Sequence, residues 1–134
     1  MSMPVVLLVD DEKTVLDSLK RQLRSMFGRR FRYEVAESAG EGWEVIEEVR
    51  AGDSRIAAVV SDWMMPDVRG DAFLSRIREL DDTISLIMLT GFAEQEAVSR
   101  VQEAGILHRL LRKPWDPDEL REAITSACEA SGVP

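Results

Sequence analysis

The sequence predicts an α/β fold in which five strand–helix units build an open parallel sheet. Three observations carry this. Short apolar runs alternate with amphipathic stretches along the whole chain. Ile56–Val60 is continuously apolar, as a parallel strand buried on both faces is. Chemistry-bearing residues follow four of the runs: Asp10-Asp11 after Val5–Val9, Asp62 after Ile56–Val60, Thr90 after Ile84–Leu89 and Lys113 after Leu107–Leu111. Sheets of this kind bind ligands beyond the carboxyl ends of their strands. Three carboxylates, one hydroxyl and one ammonium are therefore expected in one crevice.

Each element has its own signal. Val5–Val9 is the first strand. Val15, Leu16, Leu19, Leu23, Met26 and Phe27 follow a 3.6-residue period and predict the first helix, with Gly28 at its end. Phe31, Tyr33 and Val35 alternate with Arg32 and Glu34, which predicts an edge strand with one wet face. A second helix covers about Ala39–Arg50, with Trp43, Ile46 and Val49 inward, before a loop from Ala51 to Ser54. Ile56–Val60 is the third strand, and Pro66 and Gly70 break the chain after it. Phe73, Leu74, Ile77 and Leu80 mark a third helix. Ile84–Leu89 is the fourth strand. Ala97, Val98 and Val101 mark a weaker fourth helix that Gly105 ends. Leu107–Leu111, interrupted by His108 and Arg109, reads as an edge strand. The last helix opens with Asp116 as N-cap, Pro117 in the first turn and Glu119 three residues after the cap. It buries Leu120, Ala123, Ile124, Ala127 and Cys128. Residues 1–134 read as one domain, with 130–134 as the start of a linker.

Composition narrows the function. A chain of 134 residues that is 45% hydrophobic supports one domain with a real core. No apolar run approaches the ~20 residues that span a bilayer, and Met1–Pro4 lacks the basic start of a signal peptide. A cytoplasmic protein is expected. The single cysteine, Cys128, excludes a disulfide framework and a cysteine zinc site. The net charge of −8 argues against direct nucleic-acid binding. Residues 13–32 nonetheless carry seven basic side chains and one acid, a local +6 that leaves −14 for the rest. A solvated helix face accounts for this segment.

Taken singly, the candidate residues have plain alternatives. Asp11 is placed to cap the first helix, but one cap does not explain two adjacent acids. Asp62 could be a turn residue; three desolvated carboxylates that meet, however, need a cation. Met64 could add its backbone carbonyl as an oxygen ligand. Thr90-Gly91 alone would be a strand end and a turn. Lys113 precedes Pro114, which holds it extended and makes that peptide bond a candidate for the cis form. An ammonium there suits a point contact to phosphate. Trp43 is expected in the core, Trp115 beside the last helix and Trp63 next to the site. His108, the one histidine, reads as an exposed strand residue and excludes a two-histidine metal site.

Together these signals resemble the receiver domain of two-component response regulators, across nearly the whole chain. The matching text is Val9-Asp10-Asp11-Glu12, then Ser61-Asp62-Trp63-Met64-Met65-Pro66-Asp67-Val68-Arg69-Gly70, then Leu89-Thr90-Gly91, then Lys113-Pro114-Trp115. The resemblance implies a flavodoxin-like (βα)5 fold, a doubly wound five-stranded parallel sheet in order 2-1-3-4-5. It implies that Asp62 accepts a phosphoryl group from a partner phosphohistidine. It implies Mg²⁺ as cofactor, held by Asp10, Asp11, Asp62 and the Met64 carbonyl, and contacts from Thr90 and Lys113 to the phosphoryl group. The implied partner is a histidine kinase or phosphotransfer protein, with a fused or separate output domain. The implied response is a switch in the face formed by the fourth helix, the fifth strand and the last helix. Such a domain is a regulatory phosphoacceptor that catalyses its own phosphorylation and dephosphorylation, rather than a metabolic enzyme. Lys113-Pro114-Trp115-Asp116 is also similar to receivers fused to output enzymes, among them cyclic di-GMP phosphodiesterases of the HD-GYP class.

Leu110 departs from the family, which usually has Tyr or Phe three residues before the lysine; no aromatic switch partner for Thr90 is expected here. Two other classes compete. A phosphate-independent interaction module would not need all five site positions intact. An aspartate-nucleophile phosphatase resembling the haloacid dehalogenase group would need Asp-x-Asp, but Glu12 stands two after Asp10. No glycine-rich nucleotide-binding motif occurs.

The resemblance also places Met64 and Phe92 beside the path of a hydrolytic water. Both are large and apolar, so neither orients a water and both exclude it. Slow loss of the phosphoryl group is expected. Met64→Asn combined with Phe92→Glu should speed decay roughly five- to a hundredfold, for a barrier change of ~1–3 kcal/mol. An equal or longer half-life of the double variant in Mg²⁺ would show that these side chains do not guard the site.

Overall fold

Strands β1 (Val5–Val9), β2 (Arg32–Ala36), β3 (Ile56–Asp62), β4 (Ser85–Thr90) and β5 (Arg109–Arg112) form one sheet in the order β2-β1-β3-β4-β5. Every pairing is parallel. The computed structural model describes residues 3–65, 67–91, 105 and 107–130. Helices α1 (Lys13–Phe27), α2 (Ala39–Ala51), α3 (Gly70–Leu80) and α4 (Pro117–Ala130) cover the sheet. None is long and apolar enough to cross a membrane. The fourth helix expected around Ala97, Val98 and Val101 lies outside the described residues, as do Phe92 and residues 131–134; Gly105 has φ +71°.

Parallel strands with helices on both faces bury both sides of the sheet. One core cluster joins Val5, Leu7, Val9 and Val59 to Ile46 and Val49 of α2 and Phe73, Leu74 and Ile77 of α3. The other joins Val6, Leu8 and Val60 to Leu16, Leu19 and Leu23 of α1 and Leu120, Ala123 and Ile124 of α4. A fully buried Leu or Ile side chain contributes about 1.5–3 kcal/mol of transfer free energy. These apolar stripes therefore decide on which face each helix lies.

Several boundaries differ from those the apolar runs predict. β3 does not stop at Val60: Ser61 pairs with Met88 and Asp62 with Leu89, so Asp62 ends the strand instead of following it. β4 begins at Ser85 and takes in Thr90; β5 begins at Arg109, leaving Leu107 and His108 before it. Phe31 precedes β2, and Val35 is 41% exposed while Ala36 is buried. Among the described residues β2 pairs only with β1 and forms one edge of the sheet. Leu80, at the last turn of α3, is also exposed. Trp43 is half-buried rather than core, with the Arg76 guanidinium 4.3 Å from its ring centroid. His108 is half-buried rather than exposed, and its Nε2 lies 2.7 Å from the Ser126 hydroxyl.

Asp11 does not cap α1. Glu12 occupies that position without a side-chain cap, and its N–H instead donates to Asp10 Oδ1 at 2.9 Å. Gly28 ends α1 with φ +57°, a conformation that favours glycine. Asp116 caps α4 as expected, its Oδ1 accepting from the Asp118 N–H at 2.8 Å. Trp115 packs against the α1/α4 core, and its indole N–H donates to Gln22 of α1 at 2.9 Å.

The β3–α3 connection is tight. The Trp63 N–H donates to the Leu89 carbonyl at 3.0 Å, and the Gly70 N–H to the Trp63 carbonyl at 2.8 Å. A methyl group on Gly70 would run into the Asp62 carbonyl oxygen. Gly70→Ala is therefore expected to destabilise the fold by ~1–3 kcal/mol, as overpacking does. Urea unfolding checks this; an unchanged midpoint would show that the loop yields freely.

Candidate functional site

The strand order sets the site. The connections run to opposite sides of β1, which lies between β2 and β3, and the crevice of such a sheet opens at that switch point. Asp10 follows β1 and Asp62 ends β3, so both acids stand at this crevice. Asp10 is fully buried and Asp62 is 6% exposed, whereas Asp11 is exposed. One carboxylate oxygen from each of the three lies within 4.8 Å of the others.

Lys113 reaches this cluster from beyond β5. Its ammonium lies 2.7 Å from Asp10 Oδ2 and 3.2 Å from Asp62 Oδ1. Its backbone N–H donates to the Thr90 carbonyl at 2.8 Å, which carries the chain along β4 past the strand end. The Lys113-Pro114 peptide bond is cis.

Burial pushes the Asp62 carboxyl up to about 6; nearby Asp10 adds to this and Lys113 opposes it. Asp10 is also raised by burial, against the bonds from Lys113 and the Glu12 N–H. Burial would lower Lys113, but its contacts with Asp10 and Asp62 outweigh that and raise it. Three carboxylates and one ammonium leave an excess of negative charge once ionised. That donor set, all hard oxygen, fits a small divalent cation.

Not every expected residue joins the cluster by a side-chain contact. The Thr90 hydroxyl is buried and donates to the Gly91 carbonyl at 3.1 Å. Met64 lies two residues beyond Asp62 and is 55% exposed. Trp63 is buried in the α2/α3 core, with the Arg69 guanidinium 5.6 Å from its ring centroid. Leu110 is half-buried against the same core.

Two further residues of this stretch have contacts that the sequence reading does not assign. Gly70 allows the close approach to the Asp62 carbonyl; its place eight residues after Asp62 is the available signal. Asp67 accepts from the Ala39, Gly40 and Val68 N–H groups. Two of those partners are more than 25 residues away in sequence, and no local pattern announces them.

Comparison with known proteins agrees with this geometry. Residues 6–125 match the family model described as the response regulator receiver domain. The chain is 33% identical over 129 residues to the hydrogenase transcriptional regulatory protein HoxA of Cupriavidus necator; the match covers 96% of this chain and 25% of HoxA. It thus spans about a quarter of that relative's length. A receiver domain from Clostridium thermocellum superposes with a TM-score of 0.86 at 26% identity, covering 97% of this chain and 98% of its own. The signal receiver domain of an HD domain-containing protein from Pseudomonas fluorescens Pf-5 gives 0.84 at 25% identity, covering 98% of each. On this match of sequence and fold, the chain belongs to the receiver domain family of two-component response regulators.

Proposed function

We propose that this chain is a phosphorylation-controlled signalling domain in which Asp62 accepts a phosphoryl group from the phosphohistidine of a kinase or phosphotransfer protein. One observation carries the reading: Lys113 bridges two buried carboxylates at the switch point of the sheet, and only one of them keeps an oxygen to spare. Asp10 is bonded through both oxygens, to Lys113 and to the Glu12 N–H. The Asp62 carboxylate meets Lys113 through Oδ1, and among the described residues its Oδ2 takes no hydrogen bond. This asymmetry favours Asp62 over Asp10 as nucleophile and disfavours the phosphatase reading.

In the transfer, an Asp62 carboxylate oxygen forms a bond to phosphorus as the phosphorus–nitrogen bond breaks, and the freed imidazole leaves. Lys113 would exchange its Asp62 contact for a phosphoryl oxygen and keep Asp10. The Thr90 hydroxyl would leave the Gly91 carbonyl for another. Asp10, Asp11, Asp62 and the Met64 carbonyl would hold Mg²⁺, which when bound neutralises the charge of the phosphoryl group against the acids. The response would pass to β5, α4 and the expected fourth helix. On the described part of that face, Arg109 of β5 meets Glu122 of α4 at 3.5 Å, an exposed pair of little strength. Output would lie in a further domain or a separate partner, as the greater length of HoxA suggests.

Incubation with a small acyl or amido phosphate and Mg²⁺ should add one phosphoryl mass to the wild type and none to Asp62→Asn. Equal labelling of the variant would sink the assignment.

The raised carboxyl of Asp62 sets a pH dependence. The folded chain holds that proton up to about pH 6, whereas the ordinary value is 3.8. Between those two values the folded state binds more protons than the unfolded one, so stability falls as pH rises through the window. Asp62→Asn removes this cost. In metal-free buffer above pH 7 the variant should be more stable than wild type by ~1–3 kcal/mol, since each tenfold change in proton affinity is worth about 1.4 kcal/mol. The gain should vanish below about pH 4. Equal stability at pH 8 would mean that burial does not penalise the ionised carboxylate.

A further inference from the structure

We propose that Asp67 is a positioning residue for the cation site: its carboxylate ties the loop between Asp62 and Gly70 to the start of α2, and so fixes where the loop presents the Met64 carbonyl. The inference rests on the functional reading above.

Asp67 Oδ2 accepts from the Gly40 N–H at 2.9 Å. Its Oδ1 accepts from the Ala39 N–H at 3.2 Å and from its neighbour Val68 at 2.9 Å. Ala39 and Gly40 open α2, where backbone N–H groups lack partners inside the helix. The helix already has its own cap: the Ser38 hydroxyl accepts from the Glu41 N–H at 3.1 Å. The bonds from Asp67 therefore join two segments, besides finishing a helix end. Gly40 suits this approach, since a Cβ there would stand 3.3 Å from Asp67 Oδ2. The bond from Gly40, with those from Ala39 and Val68, holds the Asp67 carboxyl below its ordinary range, so the tether is charged at neutral pH.

The loop is consequently fixed at three places. Trp63 is bonded to β4, Gly70 is bonded back to Trp63, and Asp67 is bonded to α2. Met64 lies between the first and last of these, with its side chain in solvent. Its neighbours Trp63 and Met65 are buried in the α2/α3 core, so its carbonyl is presented where that packing and the Asp67 tether set the backbone, and a ligand so placed depends on the residues that orient it.

Calorimetric titration with MgCl₂ alone, beside urea unfolding of the same samples, tests this. Asp67→Ala should weaken Mg²⁺ binding about tenfold, as loss of an orienting partner does. Asp67→Asn, which keeps one acceptor oxygen, should fall between that variant and the wild type. Ser38→Ala is the control: it removes a cap from the same helix end without touching the loop. It should lower the unfolding midpoint and leave Mg²⁺ affinity unchanged. If Asp67→Ala does not fold, Asp67→Asn read against Ser38→Ala still decides. Wild-type affinity in the Asp67 variants, or an equal loss in Ser38→Ala, would overturn the proposal. A wild type that binds no Mg²⁺ would overturn it together with the functional reading, whereas unmoved Asp67 variants beside a binding wild type overturn it alone.

Discussion

The bridge from Lys113 to Asp10 and Asp62 joins the carboxyl ends of β1 and β3 to the chain beyond β5. Two carboxylates at the ends of adjacent strands repel, and burial removes the water that would screen them. The ammonium at 2.7 and 3.2 Å offsets part of that repulsion. It comes from beyond β5, two strands away from β3. The bridge forms only if β1, β3, β4 and β5 are stacked in register at their carboxyl ends. Losing the Lys113 side of the bridge would be costly, because two buried carboxylates would then be left without a counter-charge.

The apolar core serves that geometry. Cluster on cluster, the two faces of the sheet are filled by the inward stripes of four described helices. Ser61 and Asp62 are carried as strand residues, paired with Met88 and Leu89, so the proposed phosphoacceptor is held by a ladder rather than by a turn. The loop that follows is anchored by backbone bonds at Trp63 and Gly70, by the burial of Trp63 and Met65, and by the Asp67 carboxylate. The site thus combines a rigid floor with one rim whose position depends on contacts to α2.

Charge is distributed unevenly, but local packing accounts for part of the basic segment. Arg30 lies 5.9 and 5.6 Å from the ring centroids of Phe27 and Phe31, and Arg32 pairs with Glu34 at 3.1 Å. These cations cover aromatic surface and a strand edge, in keeping with a solvated face.

Fold class, family and the identity of the clustered residues were legible in the order of residues. Apolar periodicity reports burial, and burial of Val5–Val9 and Ile56–Val60 on both faces left a parallel sheet as the consistent arrangement. Strand ends marked by Asp10, Asp62, Thr90 and Lys113 were legible because polar residues interrupt apolar runs there. Where each strand stops was set by pairing across the sheet, since pairing with β4 extends β3 through Asp62 against its polarity. Tertiary packing leaves Val35 exposed on the edge strand β2 and brings His108 half-buried against Ser126 of α4. It also decided that Asp10, not Asp11, serves the start of α1, and that Asp67 reaches α2. A carboxylate's partners are chosen by which N–H groups folding brings within about 3 Å, and those groups can lie anywhere in the chain.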